Sequence, residues 1–271
     1  MSVFCPLSSD FCFAQEWQEL RGDHFIIYYE NDSDGFVKEV LRQAERDYSQ
    51  IASDLGYARY ANFWQWENRV KIFIYPDQDS FLKATLQPSW SVGTANYTTK
   101  QISGFSGCTQ FKTDTLAHEI AHLVFRDFVG FVGEVPLWLD EGVAQSQEKS
   151  KRELINYYAR ALYEKNQLLS LKSLTEMDVR RVAEGAQAQD FYVQAASLVS
   201  FLIERYGADN FTHFCRQLRD GKSLDEALRF AYAGRIGSSS ELERKWLKYV
   251  SEIKITVSIK TPGGTSIASY K

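Results

Sequence analysis

The stretch Thr115-Leu116-Ala117-His118-Glu119-Ile120-Ala121-His122-Leu123-Val124-Phe125 decides how this chain is read. It contains H-E-x-x-H. Four residues make about one helical turn, so His118 and His122 leave the same side of a helix. Two imidazoles stacked in this way can hold one divalent metal, zinc being the usual choice. Glu119 lies beside them, placed to take a proton from water at that metal. The plain alternative is a helix with two core-lining histidines. Yet the whole chain has only 4 histidines, and two of them fall in the motif. The helix is also apolar nearly all round, which marks it as buried. A buried His-Glu-His without a metal needs other partners.

Catalytic zinc takes three protein ligands and keeps a fourth position open. The candidate third ligand is Glu141, in Pro136-Leu137-Trp138-Leu139-Asp140-Glu141-Gly142-Val143-Ala144-Gln145. Eighteen residues intervene between His122 and Glu141, enough for one helix to end and a second to return. The apolar neighbours of Glu141 make it a poor candidate for a solvated charge.

With two neutral histidines and one carboxylate, a zinc site carries a net charge of about +1 and lowers the pKa of bound water to near 7. Glu119 then serves as general base, passing the proton to the leaving amine. The oxyanion of the tetrahedral intermediate calls for a second donor, a tyrosine, histidine or arginine. His213 is one candidate, although a histidine in Phe211-Thr212-His213-Phe214-Cys215 also reads as helix packing. Gln145, one turn after Glu141, can accept a hydrogen bond from the second nitrogen of a ligand histidine, or be a plain helix residue. Asp140 is open in the same way, and His24 is assigned nothing.

At 271 residues, with 44% hydrophobic and 24% charged, the chain reads as an ordinary soluble globular protein. Its 18 Phe, 15 Tyr and 6 Trp supply a core. A net charge of −4 provides no basic field for nucleic acid or an anionic membrane. No apolar run is long enough to span a bilayer. Cys5, Cys12, Cys108 and Cys215 are scattered; a Cys5–Cys12 bridge stays open, and the others read as thiols. Residues 1–15 read as a tail or the remnant of an export signal, interrupted by Ser8-Ser9-Asp10. Both an exported and a cytoplasmic protein fit, and oligomeric state is not legible.

Along the chain, His24–Tyr29 reads as a strand and Phe36–Leu55 as an amphipathic helix, with turn and capping residues at 31–35. A strand ending before Pro76, a short helix over 77–86 and two short strands at 93–97 and 101–105 follow. After Thr113, which with Asp114 is the candidate cap of the H-E-x-x-H helix, nearly everything reads as helix. The predicted helices lie at 151–166, 190–206, 208–219, 223–232 and 239–252. A strand at 253–259 gives way to a tail at Pro262. The expected fold is α+β: a small mixed sheet lobe with one long helix (16–112), then a mostly helical lobe (113–252). The metal motif sits in the cleft between them, and 253–271 forms a C-terminal strand and tail.

These motifs resemble those of the gluzincin metallopeptidases of clan MA, specifically the peptidase MA-like domain proteins. The matching residues are His118-Glu119-Ile120-Ala121-His122, the eighteen-residue gap, and Trp138-Leu139-Asp140-Glu141-Gly142-Val143-Ala144. Phe191-Tyr192-Val193-Gln194-Ala195-Ala196-Ser197, leading into Leu202–Gly207, matches further. The resemblance spans about residues 16–250 and is weak outside the motifs. It implies a zincin-like fold, one zinc per chain, a peptide or protein substrate, and Tyr192 as the oxyanion donor. Ala195 stands where the family usually has glycine. It also implies that 93–97 forms an edge strand along which substrate lies by strand addition. The aminopeptidases carry Gly-x-Met-Glu-Asn there, whose glutamate holds a free amine. This chain has Gly93-Thr94-Ala95-Asn96-Tyr97, with no acid, which favours endopeptidase over aminopeptidase action. The competing expectations are a non-catalytic recognition module that keeps the fold, and hydrolysis of a bond other than an amide.

Overall fold

The computed structural model describes residues 17–30, 35–57, 64–130, 135–181, 185–254, 256–261 and 264–269. The expected tail or signal remnant at 1–15, the Cys5–Cys12 pair and the turn at 31–34 lie outside these residues. Cys108 and Cys215 are free thiols.

The sheet forms where β-branched and aromatic residues alternate. In β3 (Val70–Tyr75), Val70, Ile72 and Ile74 are buried while Lys71 is exposed. Its neighbours are β2 (Phe25–Tyr29) and β5 (Gln101–Phe105), both parallel to it. Antiparallel strands close the two edges: β1 (Gln18–Arg21) beside β2, and β4 (Gly93–Asn96) beside β5. The order is β1-β2-β3-β5-β4, a mixed sheet as expected. The strand β1 was not expected, because Gln-Glu-Leu-Arg has no β-branched residue. Tertiary pairing with β2 overrides that weak local signal.

One face of the sheet receives α1 (Phe36–Asp54), whose Phe36, Val37, Val40, Ala44, Tyr48, Ile51 and Ala52 are buried. Those 3- and 4-residue steps form a single stripe. The other face carries aromatics: Tyr28 stacks on Phe73 at 5.1 Å, and Trp17 meets the edges of Phe73 and Tyr75 at 5.4 Å each. The short α2 (Gln78–Thr85) is capped by Asp77, whose carboxylate accepts from Ser80 N–H.

A wide turn of π-helix, Phe111–Thr115, leads into α3 (Leu116–Val129), which carries the H-E-x-x-H motif. Neither Thr113 nor Asp114 caps α3. The coil runs on without a break, so the first N–H groups of α3 have carbonyl partners upstream and need no cap. Phe111 lies flat on the sheet because Gly93 and Gly104 present no side chain; a Cβ at Gly104 would stand 2.5 Å from its ring.

After α3 come α4 (Leu137–Gln145), α5 (Lys149–Glu164), α6 (Leu171–Glu176), α7 (Ala186–Tyr206), α8 (Ala208–Arg219), α9 (Leu224–Ala231) and α10 (Ser239–Glu252). Helix α6 was not expected. It is six residues long, below the length at which periodicity can be read. Helix α9 opens with a full capping box between Ser223 and Glu226. The C-terminal segment forms a hairpin of β6 (Thr256–Thr261) and β7 (Gly264–Ser269), where one strand and a tail were expected. Pro262-Gly263 reads as a strand breaker, and it stands between the two paired strands. The architecture is α+β and zincin-like: a small mixed sheet followed by helices.

Candidate metal centre

Helix α3 packs against α1, β4, α4 and α8, so its motif faces the junction of sheet and helices. Glu141 arrives on α4, which crosses α7 at very short range. A Cβ on Gly142 would lie 2.5 Å from the backbone oxygen of Ala195, so only glycine lets the helices approach this closely.

The crossing brings three groups together. The Nε2 atoms of His118 and His122 are 3.1 Å apart. Oε2 of Glu141 is 3.5 Å from His122 Nε2 and 3.9 Å from His118 Nε2. Two ligand atoms at about 2.0–2.1 Å from a tetrahedral zinc are separated by about 3.3 Å, so the three spacings fit one ion. Among the described residues, this is the only group of three or more His, Cys, Asp or Glu arranged to hold a metal.

The outward nitrogens explain why the inward ones point at each other. His118 Nδ1 donates to Glu148 Oε1 at 2.9 Å, and His122 Nδ1 donates to Asp140 Oδ1 at 2.7 Å. A carboxylate only accepts, so both protons sit on Nδ1 and both Nε2 lone pairs face inward. With both rings neutral, two lone pairs at 3.1 Å repel unless positive charge lies between them, either a metal ion or a proton on one Nε2. Burial disfavours a charged His122 ring, yet Asp140 and Glu141 outweigh it and push its pKa up to about 10. The same demand for positive charge suits a metal ion.

Each outer carboxylate has its own cation. Arg126 pairs with Asp140, and Lys151 Nζ is 2.7 Å from Glu148 Oε2. Burial works against ionising Glu148, but His118 and Lys151 hold its carboxyl below the usual range. His122 and Arg126 do the same for buried Asp140. The outer shell therefore adds no net charge. Arg126 also lies over the ring of Tyr97, 4.4 Å from its centre, and Tyr97 meets the His122 ring edge-on at 5.6 Å. Burial, with Glu119, Asp140 and Glu141, raises the Tyr97 hydroxyl's pKa.

Glu119 is half-buried beside the two histidines, and burial raises its pKa against the pull of both rings. Tyr192, in α7, is half-buried. Burial, then the fields of Glu141, Glu148 and Glu119, push its pKa up to about 12.

Other candidates fall elsewhere. Gln145 partners neither motif histidine: their Nδ1 atoms are taken by Glu148 and Asp140, and Gln145 lines a cavity between α5 and α7. His213 is exposed on α8, while Phe211, Thr212, Phe214 and Cys215 around it are buried, so it points out of the core. His24 pairs with Glu45 at 2.6 Å, tying the start of β2 to α1.

Glu148 was not anticipated. Helical spacing from Glu141 points to Gln145, but α4 ends there and the turn at 146–148 swings Glu148 back. Its position is held by α5, which Asp114 Oδ1 anchors by accepting from Ser150 N–H at 3.0 Å. Nothing in the polar run Gln145-Ser146-Gln147-Glu148 distinguishes that glutamate.

Residues 58–252 match the family model described as the peptidase MA superfamily. The chain belongs to that superfamily, whose domain is gluzincin-like. No curated protein matches it. Among the described residues no helix is long and apolar enough to cross a membrane.

Proposed function

We propose that this protein is a zinc-dependent metallopeptidase holding one ion per chain on His118, His122 and Glu141. The convergence of two inward Nε2 lone pairs and a Glu141 oxygen at 3.1–3.9 Å carries the reading. Zinc bound there supplies Lewis-acid polarisation and makes water acidic enough to ionise near neutral pH. Glu119 takes the proton as water attacks the peptide carbonyl carbon, and delivers it to the leaving nitrogen as the C–N bond breaks. Its raised pKa makes it a stronger base than an exposed glutamate, which suits that exchange. Tyr192 donates its O–H to the carbonyl oxygen as negative charge develops there.

Substrate is proposed to lie along β4, which among the described residues is the sheet's edge strand, with no strand on its outer side, and which packs against α3. Residues 93–97 carry no acid to bind a free amine, which favours cleavage within a chain over removal of its first residue.

The test is Glu119→Gln. It is expected to keep zinc, measured by mass spectrometry on protein purified without chelator, and to lose about 10²-fold or more in turnover. Cleavage at the wild-type rate would falsify the mechanism. Glu141→Ala is expected to lose the metal; zinc equal to wild type would remove Glu141 from the ligand set.

A further inference from the structure

Asp140, Arg126 and Tyr97 close a ring of contacts with His122, and neither Arg126 nor Tyr97 has a part in the reaction proposed above. Asp140 Oδ1 accepts from His122 Nδ1 at 2.7 Å, and its Oδ2 accepts from Arg126 Nη2. The Arg126 guanidinium lies 4.4 Å from the centre of the Tyr97 ring, and that ring meets the His122 ring edge-to-face at 5.6 Å. Arg126 stands one helical turn after His122, so both leave the same face of α3. Tyr97 directly follows the last residue of β4.

Charge balance alone does not account for this arrangement. Any cation neutralises Asp140, but a planar guanidinium can pair with a carboxylate in its plane while its face covers an aromatic ring. Arg126 does both at once. Its Nε is buried without a partner, so Asp140 and Tyr97 set where the group lies, at the expense of its own hydrogen bonding. Docking of the hairpin does not account for it either. Lys100, in the turn after β4, donates from Nζ to Asp127 Oδ2 at 2.6 Å, and Trp64 Nε1 donates to the same oxygen at 2.7 Å. The hairpin thus has an anchor on α3 that does not involve Tyr97.

We infer that Arg126 and Tyr97 are positioning residues for the metal centre: stacked together, they hold Asp140 and the His122 ring in the orientation that turns Nε2 toward the ion. The inference rests on the zinc reading, and it adds two residues that set how tightly His122 holds the metal.

The test uses the full chain and reads metal affinity by competition with a chelator, for zinc and then for cobalt, whose visible absorption reports ligand geometry. Arg126→Lys keeps the charge beside Asp140 but loses the planar stack. It is expected to bind zinc about 3- to 10-fold more weakly, less than the loss of a direct partner of a ligand. Tyr97→Leu, which removes the ring, is expected to lose a similar factor; Tyr97→Phe, which keeps the ring, should match wild type. In Arg126→Lys/Tyr97→Leu the loss should fall short of the product of the single losses, because either change breaks the same stack. The cobalt spectra of both single variants should depart from that of wild type. The Arg126 side chain is 26% exposed, so the lysine variant is expected to fold, and it carries the test alone if Tyr97→Leu does not.

Wild-type affinity and spectrum in Arg126→Lys would mean that charge alone suffices. A Tyr97→Phe loss as large as that of Tyr97→Leu would put the role on the hydroxyl, and losses that multiply would mean that the two residues act apart. Each of these overturns the inference. Zinc affinity that responds as expected, with no peptide cleaved by the wild type, keeps the positioning role and removes the peptidase reading. Cleavage by a wild type whose zinc affinity the variants leave untouched removes the positioning role and keeps that reading.

Discussion

His118 and Glu148 are joined at 2.9 Å through Nδ1 and Oε1, though thirty residues separate them in the chain. The bond fixes the tautomer and the ring plane of His118, and Lys151 keeps Glu148 ionised. Loss of such an outer carboxylate commonly weakens metal binding about 10- to 100-fold. Glu148→Ala is expected to fall in that range, and Glu148→Gln to lose less, because its amide oxygen still accepts from Nδ1. Competition against a chelator at fixed pH reads both. Wild-type affinity in the alanine variant would reduce Glu148 to a surface-facing neighbour.

Tyr192 is expected to act as a neutral donor. With its pKa pushed up to about 12, it keeps its proton throughout the working pH range. Tyr192→Phe should lower kcat about 10²- to 10³-fold while KM and zinc content stay near wild type. A wild-type kcat in this variant would redirect attention to Tyr97, a second half-buried phenol, which packs against the motif.

Gly142 and Ala195 mark a close approach of α4 to α7. A methyl on Gly142 would also stand 2.8 Å from Val199 Cγ2, so backbone and side chain both resist it. Gly142→Ala is expected to cost about 1–3 kcal/mol, as overpacking generally does. Because Glu141 and Tyr192 ride on the two helices, the variant should also bind zinc less tightly. Chemical denaturation of the metal-free protein checks the first effect; an unshifted midpoint would mean the helices separate freely.

Much of this site was legible in the sequence because chemistry and periodicity coincide there. His118 and His122 share a helical face, and Glu141 is a charge inside an apolar helix. Both are local facts, and the structure brings these residues together. Glu148, Tyr97 and the Arg126–Asp140 pair were not legible as a set, because each is placed by a turn or a helix crossing rather than by spacing. Asp140 was visible only as an ambiguous acid, and Gln145 drew attention by obeying a helical period that stops at that residue. The strands β1 and β7 were missed for a related reason. Their partners stabilise them, and their own residues are weak strand formers.

Asp47 offers a pH test of how α5 is held in place. It is 3% exposed on α1, and its Oδ1 accepts from Lys149 Nζ at 2.9 Å and Gln43 Nε2 at 2.6 Å. Its Oδ2 is buried without a partner. Burial raises its pKa, and the pair with Lys149 only partly offsets that. A carboxyl whose folded pKa lies above the unfolded value of about 3.9 favours folding most when protonated. Its contribution is full below the unfolded pKa and is lost as pH rises through the folded one. Asp47→Asn should therefore gain stability relative to wild type as pH climbs from about 3.5 toward neutrality, and the difference should then level off. Denaturation midpoints taken with chelator present, so that metal release does not intrude, measure it. If wild type instead gains on Asp47→Asn over that interval, the Lys149 pair outweighs burial. The tether beside Glu148 would then be a net source of stability.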